Sequence, residues 1–124
     1  MLLEDFYTII ELDHQDKENI KAIIGLNENH EIYNGHFPGS PVVPGVCLTQ
    51  LIKEIVETIE KKELSLVYAD HIKFMNMVNP KVNSRLQVDL TIKYDQELNL
   101  IKVSSVTHFN DIVFYKFKGN FKDR

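Results

Sequence analysis

Residues 35–46 read GHFPGSPVVPGV, and this stretch decides how the rest of the chain is read. Three of the four prolines, Pro38, Pro41 and Pro44, fall inside it, together with Gly35, Gly39 and Gly45. Each proline fixes its own φ and biases the residue before it toward extended backbone. Glycine allows positive φ and close backbone approach. The segment from Asn27 to Gly45 therefore reads as neither a regular helix nor a central strand. It reads as a long, conformationally fixed loop, the kind of element that often carries function in a small domain.

The loop delivers the chain into a helix. From Val46 to about Lys61, the residues Val46, Leu48, Leu51, Ile52, Ile55, Val56 and Ile59 recur at helical spacing. Lys53, Glu54, Glu57, Glu60 and Lys61 supply a polar side. On both flanks the pattern changes to period two. Phe6 to Leu12 and Asn19 to Leu26 read as strands, the second with Ile20, Ala22, Ile24 and Leu26 on one face. After the helix, Leu64 to Met77, Arg85 to Tyr94, Leu100 to Phe109 and Ile112 to Phe121 read as strands. DQELN (95–99) and Asn110-Asp111 are hairpin turns.

Five or six strands and one helix exclude a doubly wound sheet, which needs helices on both faces. The expected class is α+β: a curved antiparallel sheet wrapped around one long central helix, as a single domain over 1–124. Such a sheet leaves an open edge, and pairing between two copies would close it. The formal net charge of −4 gives no support to a nucleic-acid role. No apolar run is long enough for a membrane span, and the start MLLEDFYTII does not read as a signal peptide. Cys47 is the one cysteine, so a cytoplasmic, reducing location is expected. His14, His30, His71 and His108 show no metal-ligand spacing.

The chemistry concentrates where the rigid loop meets the helix. The loop holds His36 in place. The first amides of the helix, around Gly45 and Val46, lack carbonyl partners within it and carry partial positive charge. A carbonyl oxygen placed there would be polarised. A fixed histidine beside such amides is suited to removing a proton α to that carbonyl. Cys47 lies in the same turn, where a thiol pKa can fall, but a small buried residue is the plainer reading.

GHFPGSPVVPGV closely resembles the signature of the bacterial 3-hydroxyacyl-acyl-carrier-protein dehydratases, and Ile72-Lys73-Phe74 with Asn79-Pro80 resembles a later strand and turn of that family. The resemblance implies a hotdog fold and elimination of water from a (3R)-hydroxyacyl thioester, giving a trans-2-enoyl thioester. It implies His36 as catalytic base, Gly45 and Val46 as the amides binding the thioester oxygen, and Phe37 and Pro44 as substrate-lining residues. It also implies a homodimer or an oligomer of dimers, with each site shared between protomers. The substrate would arrive on the phosphopantetheine arm of acyl carrier protein, so neither a metal nor a bound cofactor is expected. Phe74, Met75 and Met77 would line an acyl tunnel or simply pack in the core. Lys116, Lys118, Lys122 and Arg124 form either a solvated edge and tail or a docking patch for an acidic carrier.

One position departs from the family. Fourteen residues after the histidine, where a Glu or Asp is expected, stands Gln50. An amide does not titrate near neutral pH and cannot act as a general acid. Loss of acid assistance costs roughly 10²–10⁴-fold in rate. His36 would then carry both proton transfers while Gln50 positions the hydroxyl. Alternatively, the chain would pair with an active paralogue, or Gln50 would orient water in a thioesterase. Glu54, one turn further on, is a remote candidate for the missing carboxylate.

Overall fold

The structure is a computed structural model that describes residues 2–35 and 41–124. Two strands, β1 (Tyr7–His14) and β2 (Asn19–Leu26), precede the helix α1 (Gly45–Glu60). Four strands follow: β3 (Leu64–Phe74), β4 (Arg85–Asp95), β5 (Leu100–Phe109) and β6 (Ile112–Asp123). They form one antiparallel sheet in the order β1-β2-β4-β5-β6-β3.

The period-two pattern explains why α1 lies against one face of this sheet. Ile20, Ala22 and Ile24 of β2 and Leu86, Val88, Leu90 and Ile92 of β4 are buried together with Leu48, Leu51, Ile52, Ile55 and Val56 of α1. Tyr115, Phe117 and Phe121 of β6 complete the core. Asn110 and Asp111 both adopt positive φ, 50° and 65°, between the paired residues Phe109 and Ile112. That is the backbone a two-residue hairpin needs to match strand twist.

Several expectations are corrected. The helix is sixteen residues, or roughly 24 Å; it is of moderate rather than long extent. It begins one residue early, with Pro44 as its N-cap, a position where proline's missing amide costs nothing. Val46, placed on the apolar face, is 77% exposed. Glu54, placed on the polar side, is 1% exposed. The 27–45 loop contains a short 3₁₀ turn, Glu31–Asn34, in which the Ile32 amide donates to His30 Nδ1. β3 ends at Phe74 rather than Met77.

The edges of the sheet are β1 and β3. β6 is therefore an interior strand, and its lysines are not on an edge. β3 has Val67, Tyr68, Ile72 and Phe74 each more than 40% exposed.

Candidate active site

Pro44 turns the chain into α1. Its carbonyl accepts from Cys47 N at 2.9 Å and from Leu48 N at 3.3 Å. Gly45 and Val46 are the two helix residues before these, and their amides have no carbonyl partner inside the helix. Beside them is a groove of about 630 Å³, lined among others by Gly45, Leu48, Phe74, Met75 and Met77. Phe74, Met75 and Met77 are exposed along this groove rather than packed in the core. Its width at the helix depends on glycine: a Cβ at Gly45 would lie 2.7 Å from Phe74 Cζ. Phe74 is held by packing on Tyr115, with ring centroids 5.0 Å apart. Tyr115 is in turn fixed to the first turns of α1 by a 2.5 Å hydrogen bond between its hydroxyl and Thr49 Oγ1. Burial pushes the Tyr115 phenol above its usual range, Thr49 opposing the shift, so the hydroxyl stays protonated at neutral pH.

His36 and Phe37 lie outside the described residues. Cys47 is 5% exposed and burial raises its thiol pKa, which fits the plainer reading of a small buried residue. Gln50 is half-buried, but it does not line the groove at Gly45. Five residues at about 100° each put it about 140° around the helix from Gly45. It faces a separate, polar groove of about 400 Å³ shared with Lys53, Glu57, Lys61 and Arg124. One chain therefore separates Gly45 from Gln50.

The element that sequence reasoning missed is the use of Glu54. Its carboxylate accepts from Leu2 N at 2.9 and 3.1 Å, Leu3 N at 2.9 Å, the Tyr7 hydroxyl at 3.1 Å and Gln50 Nε2 at 2.7 Å. Burial alone would raise its pKa, but the bonds from Gln50, the two amides and Tyr7 outweigh it and hold the carboxyl below the usual carboxylate range. Burial first, and then the charge of Glu54, drive the Tyr7 phenol far upward. Glu54 is thus an ionised acceptor engaged by four donor groups. The i, i+4 spacing from Gln50 was visible in sequence; the partnership with Leu2, Leu3 and Tyr7 was not, because it joins residues about fifty positions apart.

The family model of the ApeI dehydratases matches residues 12–112. The chain belongs to the ApeI-like dehydratase family. It is also 30% identical over 111 residues to the 3-hydroxyacyl-[acyl-carrier-protein] dehydratase FabZ of Fusobacterium nucleatum, covering 85% of this chain and 75% of that one. To the FabZ of Koribacter versatilis it is 32% identical over 89 residues, 65% of this chain and 57% of that enzyme's length. The chain therefore spans less than two thirds of some of these relatives.

Among solved structures, one described as the dehydratase heterocomplex ApeI:P of Xenorhabdus doucetiae superposes with a TM-score of 0.67 at 19% identity, covering 94% of this chain and 96% of that one. Cj0977, a sigma28-regulated virulence protein of Campylobacter jejuni, gives 0.69 at 14% identity, covering 97% and 85%. At these identities the likeness is one of fold, and the fold is the hotdog arrangement of an antiparallel sheet on one helix. No described helix of this ApeI-like chain is long and apolar enough to cross a membrane.

Proposed function

We propose that this ApeI-like chain is a cytoplasmic, single-domain hydro-lyase acting on a (3R)-hydroxyacyl thioester carried by acyl carrier protein, within fatty-acid or polyketide-type synthesis. The observation that carries the reading is the helix start at Gly45 and Val46. It directly follows the signature loop and adjoins an apolar groove of about 630 Å³ bounded by Phe74 and Met77. His36 takes the C2 proton. The Gly45 and Val46 amides receive the charge growing on the thioester oxygen. The C3–O bond breaks, the departing hydroxide takes up a proton from the imidazolium of His36, and water and the trans-2-enoyl thioester leave. Phe37 and Pro44 are assigned to substrate binding, and the pantetheine arm brings the acyl group, so no resident metal or cofactor is required.

Gln50 faces away from the Gly45 groove of its own chain, which supports a site completed by a second copy. The open β3 edge, with Val67, Tyr68 and Ile72 exposed, supports a homodimer or a larger assembly of dimers. On the outer face, Lys73 pairs across strands with Lys116. Like charges directly opposite one another are unfavourable in a sheet, and an acidic carrier protein docking there would relieve them.

A second reading is favoured by the bond from Gln50 to Glu54. The residue at the acid position is a non-titrating amide already tied up in its own chain, as in a subunit that supports an active paralogue. The test is mass spectrometry of purified protein incubated with 3-hydroxyacyl-carrier protein. Enoyl product that disappears in His36→Ala supports the dehydratase. Free acid instead of enoyl product would identify a thioesterase and refute it. Carrier binding without turnover, converted to turnover by Gln50→Glu, would establish the supporting-subunit reading.

A further inference from the structure

A primary amide at the mouth of a site is ambiguous, because rotation by 180° exchanges its donor and acceptor ends. In this chain the ambiguity is removed from behind. Gln50 Nε2 lies 2.7 Å from Glu54 Oε2. Glu54 is 1% exposed, and the amides of Leu2 and Leu3 and the Tyr7 hydroxyl also converge on it. An acceptor-only carboxylate can receive an N–H but offers nothing to a carbonyl oxygen. A flipped Gln50 would bring two oxygens together and lose a charge-assisted bond.

We propose that Glu54 is a positioning residue that locks the Gln50 amide with its nitrogen inward, so that Gln50 presents its Oε1 as a hydrogen-bond acceptor to the substrate. This rests on the reading of Gln50 as a residue facing a 3-hydroxyacyl thioester, and it sets how that hydroxyl is recognised. The hydroxyl is held by its hydrogen. Gln50 therefore acts as a selectivity element for a 3-hydroxyl over a saturated acyl chain, and does not assist the departure of hydroxide. The lock also ties the site to the N-terminal residues 2–7, whose backbone and Tyr7 supply the other bonds to Glu54.

The experiment has two arms on the full chain. The first follows the Gln50 side-chain amide by ¹⁵N–¹H NMR, identified by its loss in Gln50→Leu. One of its two protons is expected far downfield and slow to exchange, moving toward free-amide values as Glu54 protonates at acid pH and already so placed in Glu54→Gln. The second measures binding of a 3-hydroxyacyl pantetheine thioester against the saturated acyl thioester. Wild type is expected to prefer the hydroxy compound roughly three- to tenfold, the worth of one hydrogen bond, and both Gln50→Leu and Glu54→Gln to abolish that preference. An amide resonance unchanged by Glu54→Gln would overturn the positioning role, even where thioesters bind. A locked amide in a protein that binds neither thioester would leave the lock standing and sink the proposed substrate. A locked amide with binding but no preference for the hydroxyl would overturn the selectivity role.

Discussion

Tyr7→Phe removes one oxygen from the buried Glu54 cluster and little else. Tyr7 is 1% exposed, and its hydroxyl donates to Glu54 Oε1 at 3.1 Å. A hydrogen bond to a charged group contributes about 1.5–3 kcal/mol. The distance is long for an O–H donor, and Glu54 keeps its bonds from Leu2, Leu3 and Gln50 in the variant, so the loss is expected at the low end, about 1–2 kcal/mol. With 124 residues and an unfolding entropy near 2.1 cal/mol/K per residue, each kcal/mol shifts Tm by about 4 °C. The variant should melt about 4–8 °C below wild type at pH 7. The pH dependence has a definite sign. The folded Glu54 carboxyl lies below its ordinary value, so its stabilisation is present above the unfolded value near 4.3 and is lost as pH falls through the folded one. Removing one of the bonds that depress it moves that loss to higher pH in the variant. Urea denaturation of both proteins from pH 7 down to pH 3 measures this. A stability difference below about 0.5 kcal/mol at pH 7, or one that grows on acidification, would refute the account of Glu54 as an ionised, multiply bonded anchor.

Three further outcomes follow from the geometry. Leu51→Ala empties a fully buried position on the sheet-facing side of α1 and should cost about 2–5 kcal/mol by chemical denaturation. Gly45→Ala puts a methyl 2.7 Å from Phe74 Cζ. The 56% exposed ring of Phe74 must give up part of its packing on Tyr115 to make room, so stability should fall by about 1–3 kcal/mol, while affinity for an acyl pantetheine thioester, read by calorimetry, falls severalfold. Ile72→Lys adds a charge to the exposed edge strand β3 and should shift the protein toward monomer in light scattering without a change in its circular dichroism.

The local pattern contains most of the fold because each element announces its own period. Proline and glycine spacing marks the 35–46 loop, helical spacing marks Leu48 to Val56, and alternation marks β2, β4 and β5. The Asn110-Asp111 turn is likewise legible, since few dipeptides accept two consecutive positive φ values. The loop and the helix start name Gly45 and Val46 as candidates, and the resemblance to the dehydratase family names Gln50.

Tertiary structure decides what spacing cannot express. Periodicity says that Glu54 is polar, and a polar residue is ordinarily placed outside; the sheet and the N-terminal residues instead enclose it, because Leu2, Leu3 and Tyr7 bring enough donors to make a buried carboxylate stable. Val46 is the converse, an apolar residue at helical spacing that the fold leaves exposed. Strand order is also non-local: β3 follows α1 in sequence yet pairs with β6, which turns β3 rather than β6 into the open edge. The sequence by itself determined which elements form and which residues are candidates for chemistry; pairing across the sheet determined which residues face one another, since that depends on contacts between segments that no local period encodes.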